Sequence, residues 1–236
     1  MKIFAKIRFY WGVVVISFVS GALMIPAIFI APKYKGSIIH TLNRLSMFLM
    51  GARFKQEGKM DLEADLYVMN HQGVIDIVGM EALQKNHLRW VAKKELFDVL
   101  WFGNLLRGGD MISLDRGNKA GIVKLMKDVK KSIEEKHRAV IIFPEGTRAK
   151  GQKLLPFKQG ANIIAKKLGL KVQPIVVTGS KWILDQHERT GHGGTVHYKF
   201  LPVVNVEKAP DNWYKTIQEQ MQKEIDNAAT YHHRSR

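Results

Sequence analysis

From Leu66 onward, short apolar runs alternate with stretches whose apolar residues recur at helical spacing. Leu66–Asn70, Leu88–Ala92, Met111–Leu114, Ala139–Phe143, Val172–Thr178 and Val196–Leu201 read as strands. Ile75–Leu83, Leu96–Leu106, Ile122–Ile133 and Ala161–Leu168 read as helices. In the third of these, Ile122, Met126, Val129 and Ile133 fall in step with lysines opposite. Trp213, Ile217, Met221 and Ile225 mark a last amphipathic helix, expected to pack on the sheet. This alternation predicts an α/β fold, a mostly parallel sheet flanked by helices.

Upstream the pattern changes. Phe9 to Ala31 carries no charged side chain, and as a helix it measures about 34 Å, enough to cross a hydrocarbon core. Gly12, Gly21 and Pro26 interrupt it, and Pro26 is expected to kink or break the helix. A second segment places Ile38, Ile39, Leu42, Leu45, Phe48 and Leu49 at helical spacing, with His40, Asn43 and Arg44 on its other face. That is the pattern of an amphipathic helix lying in an interface. Lys2, Lys6 and Arg8 precede the apolar run, and Lys33, Lys35, Arg44 and Arg53 follow it, so charge bias selects no orientation. A removable signal peptide shares the basic start, but the run is long for one and no small-residue cleavage site precedes Lys33. Two helices dipping into one leaflet, with both ends cytoplasmic, fit the balanced charge better than a span. The chain then divides into membrane-associated N-terminal helices over 1–55, an α/β domain over 56–230 and a basic, disordered tail over 231–236.

Charge adds a partner to this picture. Lys plus Arg number 37 against 21 Asp plus Glu, a net +16 over 236 residues. Such an excess suits nucleic acid, an anionic membrane, or an acidic substrate or carrier. Nucleic acid fits poorly, because the basic residues are spread along the chain without a helix-turn-helix, zinc-knuckle or RNP-like pattern. An anionic membrane surface accounts for the charge and the N-terminus together. The chain has no cysteine, hence no disulfide and no thiol nucleophile, which suits a cytoplasmic face. With no P-loop, dinucleotide fingerprint or metal-ligand spacing, no cofactor and no metal is expected, and His232 and His233 are weak ligands at best.

Two segments carry chemistry. Asn70-His71-Gln72-Gly73-Val74-Ile75-Asp76 sets a histidine and a carboxylate five positions apart, just after a strand. On a continuous helix those positions are about 500° apart and face different ways. His71 is therefore expected in a turn, permitted by Gly73, with Asp76 on the first turn of the next helix. Asp76 would hold one imidazole nitrogen and leave the other free to take a proton. The alternative is a structural histidine beside a helix-start aspartate. With no G-x-S-x-G elbow present, the simpler scheme has His71 activate a hydroxyl on the substrate, which attacks an activated carbonyl such as a thioester. Phe143-Pro144-Glu145-Gly146-Thr147-Arg148 follows another strand. Its backbone amides suit an anion and Arg148 suits a phosphate, while Glu145 would hold an arginine or accept a substrate hydroxyl. The alternative is a solvated turn with a surface arginine. His71, Arg116 and Glu145 each follow a strand, so parallel strands bring all three to one sheet edge. Lys93 and Lys94 reach the same edge. Either one of them stabilises an oxyanion together with the Gly146 amide, or both are solvated lysines at a helix start.

These segments resemble the first and third motifs of the glycerolipid acyltransferases, in particular the 1-acyl-sn-glycerol-3-phosphate acyltransferases. The resemblance implies that His71 and Asp76 are the catalytic pair and that Glu145, Gly146, Thr147 and Arg148 bind a phosphorylated glycerol acceptor. Leu155-Pro156-Phe157-Lys158-Gln159-Gly160-Ala161 is similar to the stretch that usually follows. In the second motif, Gly109-Asp110-Met111-Ile112-Ser113-Leu114-Asp115-Arg116, the glycine comes one residue early and serine replaces an aromatic, so Arg116 alone is implicated. Of the two prolines usual in the fourth motif, Pro174 is present and Lys171 stands in the other's place. The implied activity moves a fatty acyl group from acyl-CoA or acyl carrier protein to the 2-hydroxyl of lysophosphatidic acid, giving phosphatidic acid. The implied location is the inner membrane, with the catalytic domain on the cytoplasmic side. Glycerol 3-phosphate or another lyso-lipid as acceptor, and a lipid-binding module without turnover, are the rivals.

Overall fold

A computed structural model describes residues 2–117, 119–151 and 153–234. The chain begins with helix α1, Lys2–Phe18, which passes through a π-turn at Val19–Met24 into α2, Ile25–Ile30. Pro26 was expected to kink or break this helix. The helix does not break there: a π-turn lies just ahead of Pro26 and the helix runs on to Ile30. The continuous segment Lys2–Ile30 is long and apolar enough to cross a membrane. After a 3-10 turn, α3 spans Lys35–Leu49. The core alternation follows: β1 Ala52–Glu57, β2 Leu66–Met69, α4 Val74–Leu83, β3 Arg89–Lys93, α5 Leu100–Gly108, β4 Ile112–Leu114, α6 Lys119–Glu134 and β5 Val140–Ile142. Then come α7 Gln159–Leu168, β6 Lys171–Thr178, the short α8 Ser180–Ile183, the small hairpin β7 Leu184–Asp185 and β8 Thr190–Gly191, β9 Gly194–Phe200, β10 Val204–Asn205 and α9 Trp213–Arg234. Helix α9 continues past Tyr231, where the sequence suggested a disordered tail; residues 235 and 236 lie outside the described residues.

The sheet runs β1-β9-β6-β2-β5-β3-β4, with β10 beside β6. Strands β2 to β6 are mutually parallel, whereas β9 lies antiparallel to β6 and carries β1 parallel to itself. The result is a mixed, mostly parallel sheet flanked by helices. Alternation along each strand sends side chains to two cores. Tyr67, Met69, Ile141, Ile175 and Val177 face one, covered by α1, α3 and α4. Leu66, Val68, Val140, Ile142 and Val172 face the other, covered by α6, α7 and α9. The N-terminal helices share the first core: Phe9, Val15, Val19, Met47 and Met50 are buried in it. A Cβ at Gly191 would lie 2.7 Å from the Phe9 backbone nitrogen, so α1 rests directly on the β7–β8 hairpin.

Helix α3 reverses the expectation for its polar face. His40 and Asn43 are buried while Phe48 and Leu49 point outward. The reason lies on α4. His40 Nδ1 meets the Glu81 carboxylate, and Arg44 Nε donates to the Ala82 carbonyl near the end of that helix.

A second polar joint ties α3 to the sheet. Asp110 lies 2.6 Å from Lys136, 2.7 Å from Arg138, 3.3 Å from Arg89 and 3.8 Å from Lys35 at the start of α3. Burial raises the Asp110 pKa, but Lys136, Arg89 and Lys35 outweigh it and hold the carboxyl below its usual value. A depressed carboxylate stabilises the fold above its unfolded pKa, and that contribution is lost as pH falls through the folded value. Asp110→Asn should therefore lower the melting temperature at neutral pH by an amount worth about 1–3 kcal/mol, the partly exposed lysines softening the loss. The difference from wild type should close in acid, as followed by thermal denaturation across pH.

Candidate active site

The site is built where β2 ends. Asn70 extends that strand with its side chain: Nδ2 donates to the Val177 carbonyl at 2.9 Å and Oδ1 accepts the Val177 amide at 2.7 Å. The backbone is thereby free to turn away from β6 at His71. Gln72 and Gly73 complete the turn and α4 starts at Val74, which places Asp76 on its first turn. Asp76 Oδ2 accepts from the Gln72 amide at 2.6 Å, the Gly73 amide at 2.8 Å and His71 Nδ1 at 2.8 Å. The Gly73 contact is half of a capping box, and a carboxylate here also complements the helix dipole. Asp76 is fully buried, and among the described residues its Oδ1 has no hydrogen-bond partner. Tyr198 fixes the same turn from β9, donating to the Ile75 and Asp76 carbonyls at 3.2 and 3.0 Å. Because Asp76 is an acceptor, His71 Nδ1 is the donor of this pair, an arrangement that leaves Nε2 as the nitrogen able to take a proton.

The loop after β5 closes over this turn. The His71 amide donates to Glu145 Oε1 at 2.8 Å, and the His71 carbonyl accepts the Ala149 amide at 2.9 Å. Glu145 Oε2 accepts the Leu155 amide at 2.8 Å. Glu145 is 1 % exposed, so its carboxylate faces inward, contrary to the expectation that it meets an acceptor. Burial raises its pKa, and the two amides oppose that shift. Gly146 adopts φ +70°, the left-handed conformation that glycine takes at low cost. Its amide, expected as an oxyanion donor, instead donates to the Phe143 carbonyl at 3.1 Å and closes a turn. Arg116, arriving from the end of β4, donates to the Gly146 carbonyl and so joins the two loops. Thr147, Arg148 and Arg116 are exposed on the outer side of that turn.

Lys93 and Lys94, expected as oxyanion donors, are each paired with a carboxylate: Lys93 with Glu95 at 2.9 Å and Lys94 with Asp115 at 3.7 Å, both side chains being about half exposed. Among the described residues no group of three or more His, Cys, Asp or Glu side chains gathers to hold a metal ion. Sequence reasoning passed over Asn70, Phe143 and Tyr198. Asn70 and Phe143 stand inside the two motifs, and a strand that ends on asparagine was the available signal for the first.

Comparison with known proteins places these residues in context. A protein-family model described as Acyltransferase matches residues 53–178. The 1-acyl-sn-glycerol-3-phosphate acyltransferase of Helicobacter pylori is 40 % identical over 177 residues, covering 75 % of this chain and 74 % of that protein. The Escherichia coli protein of the same description is 28 % identical over 178 residues, covering 74 % and 71 %. Among solved structures, the 1-acyl-sn-glycerophosphate acyltransferase from Thermotoga maritima superposes with a TM-score of 0.76 at 20 % identity, over 97 % of this chain and 96 % of that one.

Proposed function

The chain belongs to the acyltransferase family, and on that premise we propose that it is a membrane-associated enzyme converting 1-acylglycerol 3-phosphate into phosphatidic acid. The acyl group comes from a thioester carried by coenzyme A or acyl carrier protein. The observation that carries this reading is the His71–Asp76 pair, a 2.8 Å contact to a buried carboxylate that two backbone amides also hold.

The chemistry follows from that pair. His71 Nε2 takes the proton of the acceptor 2-hydroxyl as its oxygen attacks the thioester carbonyl. Asp76 stabilises the imidazolium that forms. The tetrahedral oxyanion collapses, the C–S bond breaks and the thiolate leaves with the bonding electrons. A thiol with a reference pKa of about 8.5 needs little help from a general acid. The imidazolium then returns its proton to thiolate or solvent. Arg116 and Arg148, exposed beside the Gly146 turn, supply planar donors for the acceptor phosphate.

The N-terminal helices supply the membrane contact. One face of α1 is buried on the domain from Ala5 to Val15, while Ile3, Phe4, Ile7, Val14 and Phe18 on the other stay exposed. A helix packed along its length in this way favours insertion into one leaflet over a free span, with the domain on the cytoplasmic side.

A thiol-release assay with both donors and a panel of acceptors tests the reading. Turnover should be fastest with 1-acylglycerol 3-phosphate, and an equal rate on glycerol 3-phosphate or a neutral lyso-lipid would move the acceptor. In the same assay, Arg116→Ala and Arg148→Ala should each raise the acceptor KM by roughly 10–150-fold, the loss of a charge-assisted hydrogen bond. The donor KM should stay nearly unchanged. A selective rise in donor KM would instead assign these arginines to the thioester carrier.

A further inference from the structure

Behind the imidazole lies a buried chain of contacts that the transfer chemistry does not use. His71 stacks on Phe143, with ring centroids 3.8 Å apart and planes 17° from parallel. Phe143 meets Trp90 of β3 at 5.5 Å. The Trp90 indole donates to Glu81 Oε1 at 2.6 Å. Glu81 Oε2 lies 2.9 Å from His40 Nδ1 on α3, and Gln84 Nε2 donates to that same oxygen at 3.2 Å. His40 Nδ1 is also 3.0 Å from the Glu81 carbonyl oxygen and 3.4 Å from Gln84 Nε2; its two shorter contacts are both to acceptors, so this nitrogen is the donor. Trp90, Glu81 and His40 are all buried.

A carboxylate withdrawn from water is costly unless donors surround it. An apolar side chain at position 81 would fill the space without that cost. What the carboxylate adds is direction. Asp76 holds Nδ1 and the Cβ–Cγ bond holds the neighbouring carbon, so the ring can still tilt about the line joining Cβ to Nδ1, carrying Nε2 with it. The face of Phe143 removes the tilt. Phe143 is set by the indole of Trp90, and the indole is set by Glu81.

We propose that Glu81 is a positioning residue for acyl transfer: through Trp90 and Phe143 it fixes the plane of the His71 ring, and His40 ties the arrangement to α3. The proposal rests on the reading of His71 as the base. Because α3 follows the apolar N-terminal helix, seating of that helix reaches the imidazole through two hydrogen bonds and two ring contacts.

The test compares the full-length enzyme with Glu81→Gln, Trp90→Phe, the double variant and His71→Ala, in kcat, both KM values and melting temperature. Glu81→Gln and Trp90→Phe should each lower kcat about tenfold, within the roughly 100-fold that a misplacement of about 1 Å produces. Both KM values should stay within about twofold, because neither residue touches substrate on this model of the reaction. The double variant should be about as slow as either single one, since both changes break the same chain. Trp90→Phe keeps the core filled and carries the test where Glu81→Gln does not fold. Wild-type kcat, even with a lower melting temperature, would reduce Glu81 to a structural role. Multiplying losses in the double variant would also overturn the proposal. Transfer retained by His71→Ala would remove the base itself, whereas an inactive His71→Ala beside an unimpaired Glu81→Gln would remove only the positioning.

Discussion

Replacing His71 with alanine is expected to lower kcat by about 10²–10⁴-fold, the usual loss when a general base is removed. The fold should survive. The ring stacks on Phe143 and contacts Asp76, but the backbone bonds that hold the turn in place, from the His71 amide to Glu145 and from Ala149 to the His71 carbonyl, do not depend on it. Asp76→Asn should be less damaging to the chemistry, because the base remains and an amide oxygen still accepts a hydrogen bond. It removes the charge that stabilises the imidazolium. It also introduces an amide nitrogen where Asp76 is fully buried, so its melting temperature should fall further than that of His71→Ala. Thiol release under saturating donor and acceptor, paired with thermal denaturation, separates the two effects. Transfer near the wild-type rate by His71→Ala would end the proposed mechanism.

Glu145→Ala should be the most damaging change to fold and activity together. The carboxylate bridges the turn after β2 and the segment leading to α7 by accepting the His71 and Leu155 amides, both at 2.8 Å. Removing it leaves two amides in a buried site without an acceptor, at about 1–3 kcal/mol each. It also releases the His71 backbone, and a shift of about 1 Å costs roughly 100-fold in rate. Glu145→Gln should fall between alanine and wild type, since one amide oxygen replaces one of the two acceptors. A residue that gripped substrate from an open site would behave differently, raising the acceptor KM while melting at the wild-type temperature. Denaturation and steady-state kinetics on the same preparations decide between the two.

The sequence and the structure part company where a long-range partner determines which way a side chain points. The convergence of His71, Arg116 and Glu145 on one sheet edge was legible, because each follows an apolar run and alternation with helices implies parallel strands. The geometry of His71 relative to Asp76 was legible too, since five residues on a helix cannot bring the side chains together but a turn and a first helical turn can. The inward turn of Glu145 was not, because its partners lie 74 and 10 positions away and leave no mark on local spacing. The same holds for α3, whose polar face finds Glu81 and Ala82 some forty positions along the chain. Strand β1 escaped notice for another reason. As the edge of the sheet it buries only Ala52, and Arg53, Lys55 and Gln56 carry none of the apolar signal of a central strand. It also crosses position 55/56, where the sequence alone suggested a division.

The pairing of β1 with β9, and the contact of α1 with the hairpin at Gly191, have a consequence for biosynthesis. These partners are about 140 residues or more apart in the chain, so α1 and β1, which leave the ribosome first, acquire these neighbours late. During that interval the face of α1 that rests on the hairpin has nothing to cover it. A bilayer is the other medium able to take it up, which makes delivery of the nascent chain to lipid a step that can precede closure of the sheet. The domain would then assemble beneath helices already held in a leaflet.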